Sequence, residues 1–569
     1  MRICRRVFVS DKAFTALPVR SPTKQPGWCT SSKPKQILLQ KQLPTPTQAL
    51  RVKLKNVRRP MWTCASAEAS ETSQSETPKP LEVFLGWATF NGVKGVGSAD
   101  SKVALFESNE GERGLIAVKD IAEGEELVTV PLRIALTDHP EDEESNYLLY
   151  QDAPWSVRLA AKILREKAKG SNSPWKSYID VLPTTILSPL TNFSWEEMLE
   201  VQYEPAKNSI FEAHWLAAES YKRCSSAAIS GATESEFRWA LSVVHSRTFG
   251  TAAKTGGVGV RLLVPVIDMI NHAGDWGGAA TGEYSTSQHD VASWQLCTPE
   301  KSASGEWEMI LRSTSEIEEG DEVVMSYGER DNDDFLVHYG FVPPVNAHDS
   351  VEIFSNGVQE AVAWYIGRFL VEGSGLKAKD LEKAALAKAQ EAEDAVNAEE
   401  GSVTEKVCIL SGGRVDVRLM AAFSRLAEAC QPGVPSAAER AVATRCWEIL
   451  SAFPTSAAQD VRILADGGVD EPEFCRFLLD VHRYRLDSLS KNGLPLPRGA
   501  ADLIDGDGSA AAAGGSPGGG TAGKAFLTAV RFRMYKKFLL WESLDSLGPP
   551  FVDGAAAAAA AAAEPARQP

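Results

Sequence analysis

The chain has 569 residues, 44% hydrophobic and 24% charged, enough to build more than one packed core, and its length sets an expectation of roughly two to four domains. No run of about eighteen apolar residues occurs, the best stretch, Leu262 to Ile270, being interrupted by Pro265 and Asp268, which excludes an apolar spanning helix and makes no membrane the expectation. The net charge of −16 divides unevenly: residues 1–64 carry fourteen Lys or Arg against Asp11 alone, a balance of +13 that leaves −29 for the remainder, and so acidic a body repels phosphate backbones and disfavours a nucleic-acid partner.

In chain order, residues 1–65 come first. They are rich in Arg, Lys, Ser, Thr and Pro, nearly free of acids, and lack the apolar core of a secretory signal. That composition reads as an organelle transit peptide, ending in Val57-Arg58-Arg59-Pro60-Met61-Trp62-Thr63-Cys64-Ala65, which resembles the stromal cleavage sites of chloroplast precursors. A basic tail on a cytosolic protein is the alternative. Residues 66–80, rich in Ser, Thr, Glu and Pro, read as a solvated linker.

From 81 to 345, short apolar runs separated by Gly, Pro and Asn predict strands and turns: Lys102 to Phe106, Gly114 to Val118, Glu126 to Val130, Leu262 to Ile267, Trp307 to Leu311 and Glu322 to Tyr327. Two segments echo each other, Ile121-Ala122-Glu123-Gly124-Glu125-Glu126-Leu127-Val128 and Ile317-Glu318-Glu319-Gly320-Asp321-Glu322-Val323-Val324. In both, an acidic-Gly turn delivers the chain into a strand. A helical insert is expected over about 146–249, closing on the stretch Glu236 to Phe249 with Arg247 near its end.

Over 350–548 the helical period takes over, predicting an all-α second domain with helices at Val358 to Val371, Val417 to Cys430, Ala437 to Ser451, Glu473 to Leu489 and Lys524 to Leu544. In the last of these, Arg531, Arg533, Lys536 and Lys537 line up beside Phe532, Tyr535 and Phe538, a basic stripe that reads as a solvated face. Residues 506–523 are an Ala/Gly/Ser insertion and 549–569 an Ala-rich tail, both low in complexity. The nine cysteines form no CxxC pair, which argues against a thiolate metal site and for reduced thiols.

Three segments hold the residues that chemistry needs. The turn Gly111-Glu112-Arg113-Gly114 enters a strand and lets backbone approach a ligand, although a simple hairpin has the same pattern. Val264 to His272 is a strand running into Asp268, Asn271 and His272, which offer carboxylate, amide and imidazole to a polar ligand, or equally a helix cap and a core histidine. In Glu322 to Phe341, strand alternation sets Tyr327 on the face of Val323 and Met325. Gly328 then turns the chain away, and Asn332 caps a short helix that Gly340 ends. Tyr339 and Phe341 follow, an aromatic pair that alone reads as core.

Together these segments, with Trp175-Lys176-Ser177-Tyr178-Ile179, Leu182-Pro183 and Ser246-Arg247-Thr248-Phe249, resemble the SET-domain protein-lysine methyltransferases, specifically the plant Rubisco large-subunit methyltransferase family. The resemblance covers about 84–545. It implies an α+β chain: a β-rich SET fold over 81–345 with a pseudoknot and the helical insert, then a substrate-binding domain over 350–548. It also implies methyl transfer from S-adenosyl-L-methionine to a lysine of a stromal protein, by a monomer in the chloroplast stroma. Tyr327 matches the catalytic tyrosine. Gly111, Glu112 and Arg113 match backbone contacts to the cofactor, and Asn271 and His272 its amino-acid and adenine contacts. Arg247 and Asp268 match positions that border cofactor and substrate, Arg247 pairing a carboxylate, while Tyr339 closes the lysine channel and Phe341 stacks near the cofactor; no metal is implied. The chain departs from the Rubisco enzyme in having Thr251 where a second substrate arginine stands four residues past Arg247. Histidine methylation, which a relative performs on actin, and a binding module that has lost catalysis stay open as alternatives.

Overall fold

The computed structural model describes residues 79–107, 113–138, 148–251, 260–273, 290–343, 346–371, 374–399, 406–466 and 523–547. The transit-peptide segment 1–65, nearly all of the linker 66–80, the helix expected at Glu473 to Leu489, the Ala-rich tail, and Gly111 and Glu112 lie outside them, as does all but the last residue of the 506–523 insertion. By its internal contacts the chain forms two compact units. One takes the described residues within Met1–Thr185, Ala217–Ala273 and Thr286–Gly328, the other those within Ile186–Leu216, Gly274–Ser285 and Glu329–Pro569. The helical insert is therefore divided, residues 186–216 belonging to the second unit.

The first unit opens with the helix Pro80–Phe90, where proline occupies a first-turn position and Phe84 and Ala88, four residues apart, are buried. Ten strands follow: β1 (Val103–Glu107), β2 (Arg113–Ala117), β3 (Glu126–Pro131), β4 (Leu136–Thr137), β5 (Phe249–Gly250), β6 (Arg261–Leu263), β7 (Asn271–His272), β8 (Ala292–Cys297), β9 (Glu308–Ser313) and β10 (Glu322–Met325). They form three small sheets ordered β1-β2-β10-β7, β3-β9-β8 and β4-β6-β5. The helices Trp155–Lys169 and Glu234–Arg247 pack on each other, the first also against β4. In the first sheet β10 runs antiparallel to β2, pairing Val323 with Leu115, and parallel to β7, pairing Val324 with Asn271 and Met325 with His272.

The two echoing turns meet. Ile121 and Ile317, both buried, exchange backbone hydrogen bonds of 2.9 and 3.0 Å. Each turn glycine then reaches across, Gly124 N–H donating to the Ser313 carbonyl and Gly320 N–H to the Ala117 carbonyl. Since Ser313 lies four residues before Ile317 and Ala117 four before Ile121, the pattern is a local two-fold. Both glycines sit at positive φ, +83° and +92°, the conformation such turns require.

Two strands are shorter than their apolar runs. The run from Leu262 ends as β6 at Leu263, because Pro265 cannot donate to a ladder and Val266 takes φ +74° and ψ −53°, turning the chain into a 3-10 helix at Ile267–Met269. The run to Tyr327 ends as β10 at Met325, so alternation does not set the orientation of Tyr327. The strand β8, whose buried and exposed residues do not alternate cleanly, gave no comparable signal.

The second unit carries helices at Gly357–Phe369, Val417–Cys430, Ala437–Ala452 and Lys524–Leu547, close to the expected positions, and two that were not expected, Ala378–Glu399 and Ala457–Asp466. It is not all-α: β11 (Ser350–Phe354), β12 (Val407–Leu410) and β13 (Arg414–Val415) make a three-stranded antiparallel sheet. These strands are short and interrupted by helices in sequence, so helical periodicity dominates the surrounding windows. The basic stripe of the last helix is a second correction, for Arg533, Lys536 and Lys537 are at most 1% exposed. Lys536 contacts Asp333 and Asp349, and Lys537 contacts Asp460. Arg533 pairs with Asp460 and with Glu200. Carboxylates drawn from distant segments make burial of these cations tolerable.

Candidate active site

Parallel pairing of β7 with β10 brings two of the three segments side by side, and β2 brings Arg113 of the first to the same sheet. The Asn271 carboxamide donates to the Arg113 carbonyl at 2.9 Å and to Glu322 Oε1 at 2.7 Å. Its amide hydrogens are thus used to lock the sheet, and its exposed Oδ1 has no hydrogen-bond partner among the described residues. The Arg113 guanidinium is occupied with Glu107, at 2.8 and 2.9 Å, and with the Val181 carbonyl, leaving its backbone to carry any further contact. Space there is tight: a Cβ on Gly114 would lie 2.7 Å from Glu322 Oε1 and 2.6 Å from the Phe106 ring.

Tyr327 follows directly. Its hydroxyl donates to the Ile270 carbonyl at 2.7 Å, and its backbone N–H donates to His272 Nδ1 at 3.2 Å. An imidazole accepting at Nδ1 carries its hydrogen at Nε2 when neutral. The two rings lie 5.1 Å apart.

Arg247 reaches the same loop from the end of helix Glu234–Arg247. Its Nη1 donates to the Asp268 carbonyl oxygen at 2.8 Å and lies 3.8 Å from Asp268 Oδ2. The closer of the two contacts is to backbone, and the nearest carboxylate oxygen stands outside hydrogen-bond reach. Asp268 is buried, and desolvation pushes its carboxyl up to about 6 against the lowering pull of Arg247. Its Oδ2 also accepts a 2.8 Å hydrogen bond from the hydroxyl of Tyr178, a residue quoted in the sequence reading only as part of a motif. Burial first, and the neighbouring carboxylate second, push the Tyr178 phenol well above its ordinary value. No local signal in Lys176-Ser177-Tyr178-Ile179 links this tyrosine to a carboxylate ninety positions away.

Tyr339 and Phe341 belong to the second unit. Asp331, rather than the expected Asn332, caps the turn before them, its side chain accepting from Asp334 N–H at 2.8 Å; Asn332 is buried and donates its backbone N–H to Asp349 Oδ1. Residues Phe335–Tyr339 wind as a π-helix that Gly340 ends at φ +77°. Phe335, Tyr339 and Phe341 form a ring cluster with centroids 5.1 to 6.1 Å apart, and Arg330 lies 5.2 Å from the Tyr339 ring. Their expected roles rest on the resemblance alone.

A family model described as SET domain matches residues 112–328, and the chain carries a SET domain over that span. The chloroplastic ribulose-1,5 bisphosphate carboxylase/oxygenase large subunit N-methyltransferase of Nicotiana tabacum is 26% identical over 283 residues, 48% of this chain and 53% of that protein. The actin-histidine N-methyltransferase of Drosophila melanogaster is 26% identical over 319 residues, 51% and 54% of the two chains. The chain thus spans about half the length of these curated relatives. Among solved structures, the SET domain of LSMT bound to lysine and AdoHcy aligns with a TM-score of 0.51 at 16% identity, covering 82% of this chain and 90% of that one. The α+β fold is shared with it.

Proposed function

We propose that the chain is an S-adenosyl-L-methionine-dependent protein-lysine N-methyltransferase of the chloroplast stroma, acting on a stromal protein such as the Rubisco large subunit or fructose-bisphosphate aldolase. The observation that carries this reading is the Tyr327 hydroxyl resting on the Ile270 carbonyl, one residue from the Asn271-His272 pair. The residues present fit the cofactor: Asn271 offers an exposed carbonyl acceptor suited to an α-ammonium group, and the amide that orients it is already tied to Arg113 and Glu322. When bound, S-adenosyl-L-methionine supplies a methyl group activated by its sulfonium.

On this reading the Tyr327 hydroxyl, held on the Ile270 carbonyl, orients the substrate amine, which lowers the entropy cost of reaching attack geometry. The amine must arrive unprotonated, and lysine's ordinary value is about 10.4. Ile270, whose carbonyl receives the Tyr327 hydroxyl, and Val323 and Met325, which precede Tyr327 in the chain, are buried, and apolar surroundings of this kind disfavour the ammonium form. Arg247 and Asp268 hold the loop on the substrate side. The stromal assignment is supported by the basic, acid-poor leader and by the chloroplastic designation of the tobacco relative.

The test is incubation of the chain with methyl-labelled S-adenosyl-L-methionine and stromal extract, followed by peptide mass spectrometry of labelled bands. Methyl-lysine supports the reading, and no labelled protein refutes it. Histidine methylation is a second reading, favoured by the match to actin-histidine enzymes at the same identity as the tobacco protein; methyl-histidine in the same spectra selects it.

A further inference from the structure

The Tyr178–Asp268 hydrogen bond has no place in the roles assigned above. Tyr178 is fully buried in the short helix Lys176–Ile179. Its ring lies 6.5 Å from that of Trp87, nearly parallel, and 6.0 Å from that of Phe84, so the first helix of the unit fixes where the hydroxyl points. Asp268 is thereby gripped twice, through its carboxylate by Tyr178 at 2.8 Å and through its backbone oxygen by Arg247 at 2.8 Å.

The segment so gripped is strained. Val266 holds φ +74° and ψ −53°, a region that β-branched residues avoid and that persists only where surrounding contacts over-determine it. From there the 3-10 turn closes with Met269 N–H on the Val266 carbonyl at 3.2 Å and Ile270 N–H on the Ile267 carbonyl at 3.3 Å. It delivers the Ile270 carbonyl to the Tyr327 hydroxyl.

We propose that Tyr178 is a positioning residue for the methyl transfer: by anchoring Asp268 it holds the strained turn in place, and with it the carbonyl on which the Tyr327 hydroxyl rests. The kinetic consequence rests on the functional reading above; the structural consequence does not. The phenol hydroxyl, rather than the ring, is the active part. Arg247 stands 3.8 Å from the same carboxylate oxygen, outside hydrogen-bond reach, and Asp268 Oδ1 has no hydrogen-bond partner among the described residues. Without the hydroxyl, a fully buried carboxylate loses a donor it cannot replace with water.

The test is Tyr178→Phe in the full chain, which keeps the aromatic packing and removes one oxygen. Crystal structures of wild type and variant are expected to show the Tyr327 hydroxyl to Ile270 carbonyl distance opening beyond hydrogen-bond reach. In kinetics, kcat is expected to fall about tenfold with KM for S-adenosyl-L-methionine unchanged. The acidic limb of the kcat profile should move to higher pH, because the lost bond favoured the ionised form of Asp268 against desolvation, with Arg247 the other group facing it. A tyrosine that only fills space would leave that limb where it is. An unchanged distance, or a folded variant with wild-type kcat and pH limb, overturns the proposal. Should Tyr178→Phe not fold, Asp268→Asn, which keeps an acceptor for the phenol, must retain the distance and lose the limb; a lengthened distance there overturns it equally. If the wild-type chain methylates nothing, the functional reading falls and the crystallographic distance alone decides the positioning claim.

Discussion

Lys536, with no exposed surface, holds its ammonium 2.6 Å from the carboxylate of Asp349, and that same Asp349 oxygen accepts the backbone N–H of Asn332 at 3.0 Å. A second carboxylate, Asp333, lies 2.5 Å from the ammonium on another side. Burial alone would lower this lysine, but the two acids outweigh it and raise it above its ordinary value, so it is charged at every physiological pH. One cation thus ties the last helix of the second unit to the segment that precedes the Tyr339 turn.

Lys536→Met removes the cation and leaves Asp333 and Asp349 facing each other in a buried site. The expected loss of stability is about 3–5 kcal/mol, read by urea denaturation of the full chain. Lys537→Met should cost less, since its partner Asp460 keeps Arg533 at 2.8 Å and Thr455 at 2.9 Å. Equal losses in the two variants would contradict this ordering.

Gly340→Ala tests the turn end. The backbone sits at φ +77°, and a Cβ there would lie 1.2 Å from the Leu187 carbonyl oxygen, an atom of the main chain that no rotamer change can clear. Loss of roughly 3 kcal/mol or more is expected from the clash and the φ together. A circular-dichroism melt unchanged from wild type would show that the backbone yields without cost.

Asp268→Asn carries a pH signature. Burial pushes the folded carboxyl up to about 6 from an ordinary value of about 3.8. The stability its protonation contributes is therefore fully present below about pH 3.8 and is lost as pH rises through about 6. The asparagine, neutral throughout, escapes that loss. Denaturation at pH 4.5 and pH 8 should show the variant gaining on wild type by on the order of 2 kcal/mol between the two, and a pH-independent difference would mean the carboxylate is ionised without penalty.

Tyr327→Phe leaves the ring and its backbone bond to His272 but deletes the oxygen. Methyl transfer is expected to drop by about a hundredfold or more, while calorimetry shows S-adenosyl-L-methionine binding unchanged. Full activity in the phenylalanine variant would strip the hydroxyl of its role.

What could be read from sequence follows from how local each signal is. The last helix was legible because its periodicity runs over many residues, but the fate of its cations was not. Arg533, Lys536 and Lys537 face Asp460, Asp333 and Asp349, whose identity as partners depends on chain crossings that a 3.6-residue period does not encode. Tyr327, Asn271 and His272 stood out because polar groups close a strand or precede a glycine, an arrangement that costs energy unless something uses it. Tyr178 escaped notice for the opposite reason: it sits where a core aromatic belongs, and only its hydroxyl distinguishes it. Val266 escaped too, since nothing in a run of apolar residues announces a positive φ.

The reciprocal bonds between Ile121 and Ile317 have a consequence for how the protein is made. During synthesis the first isoleucine leaves the ribosome with its amide and carbonyl unmatched, and its counterpart follows only after roughly two hundred further residues, a delay that favours slow closure and chaperone capture of the waiting edge. A nascent chain arrested before Ile317 also lacks β10, so the sheet bearing Asn271, whose strand β10 leads into Tyr327, is completed late.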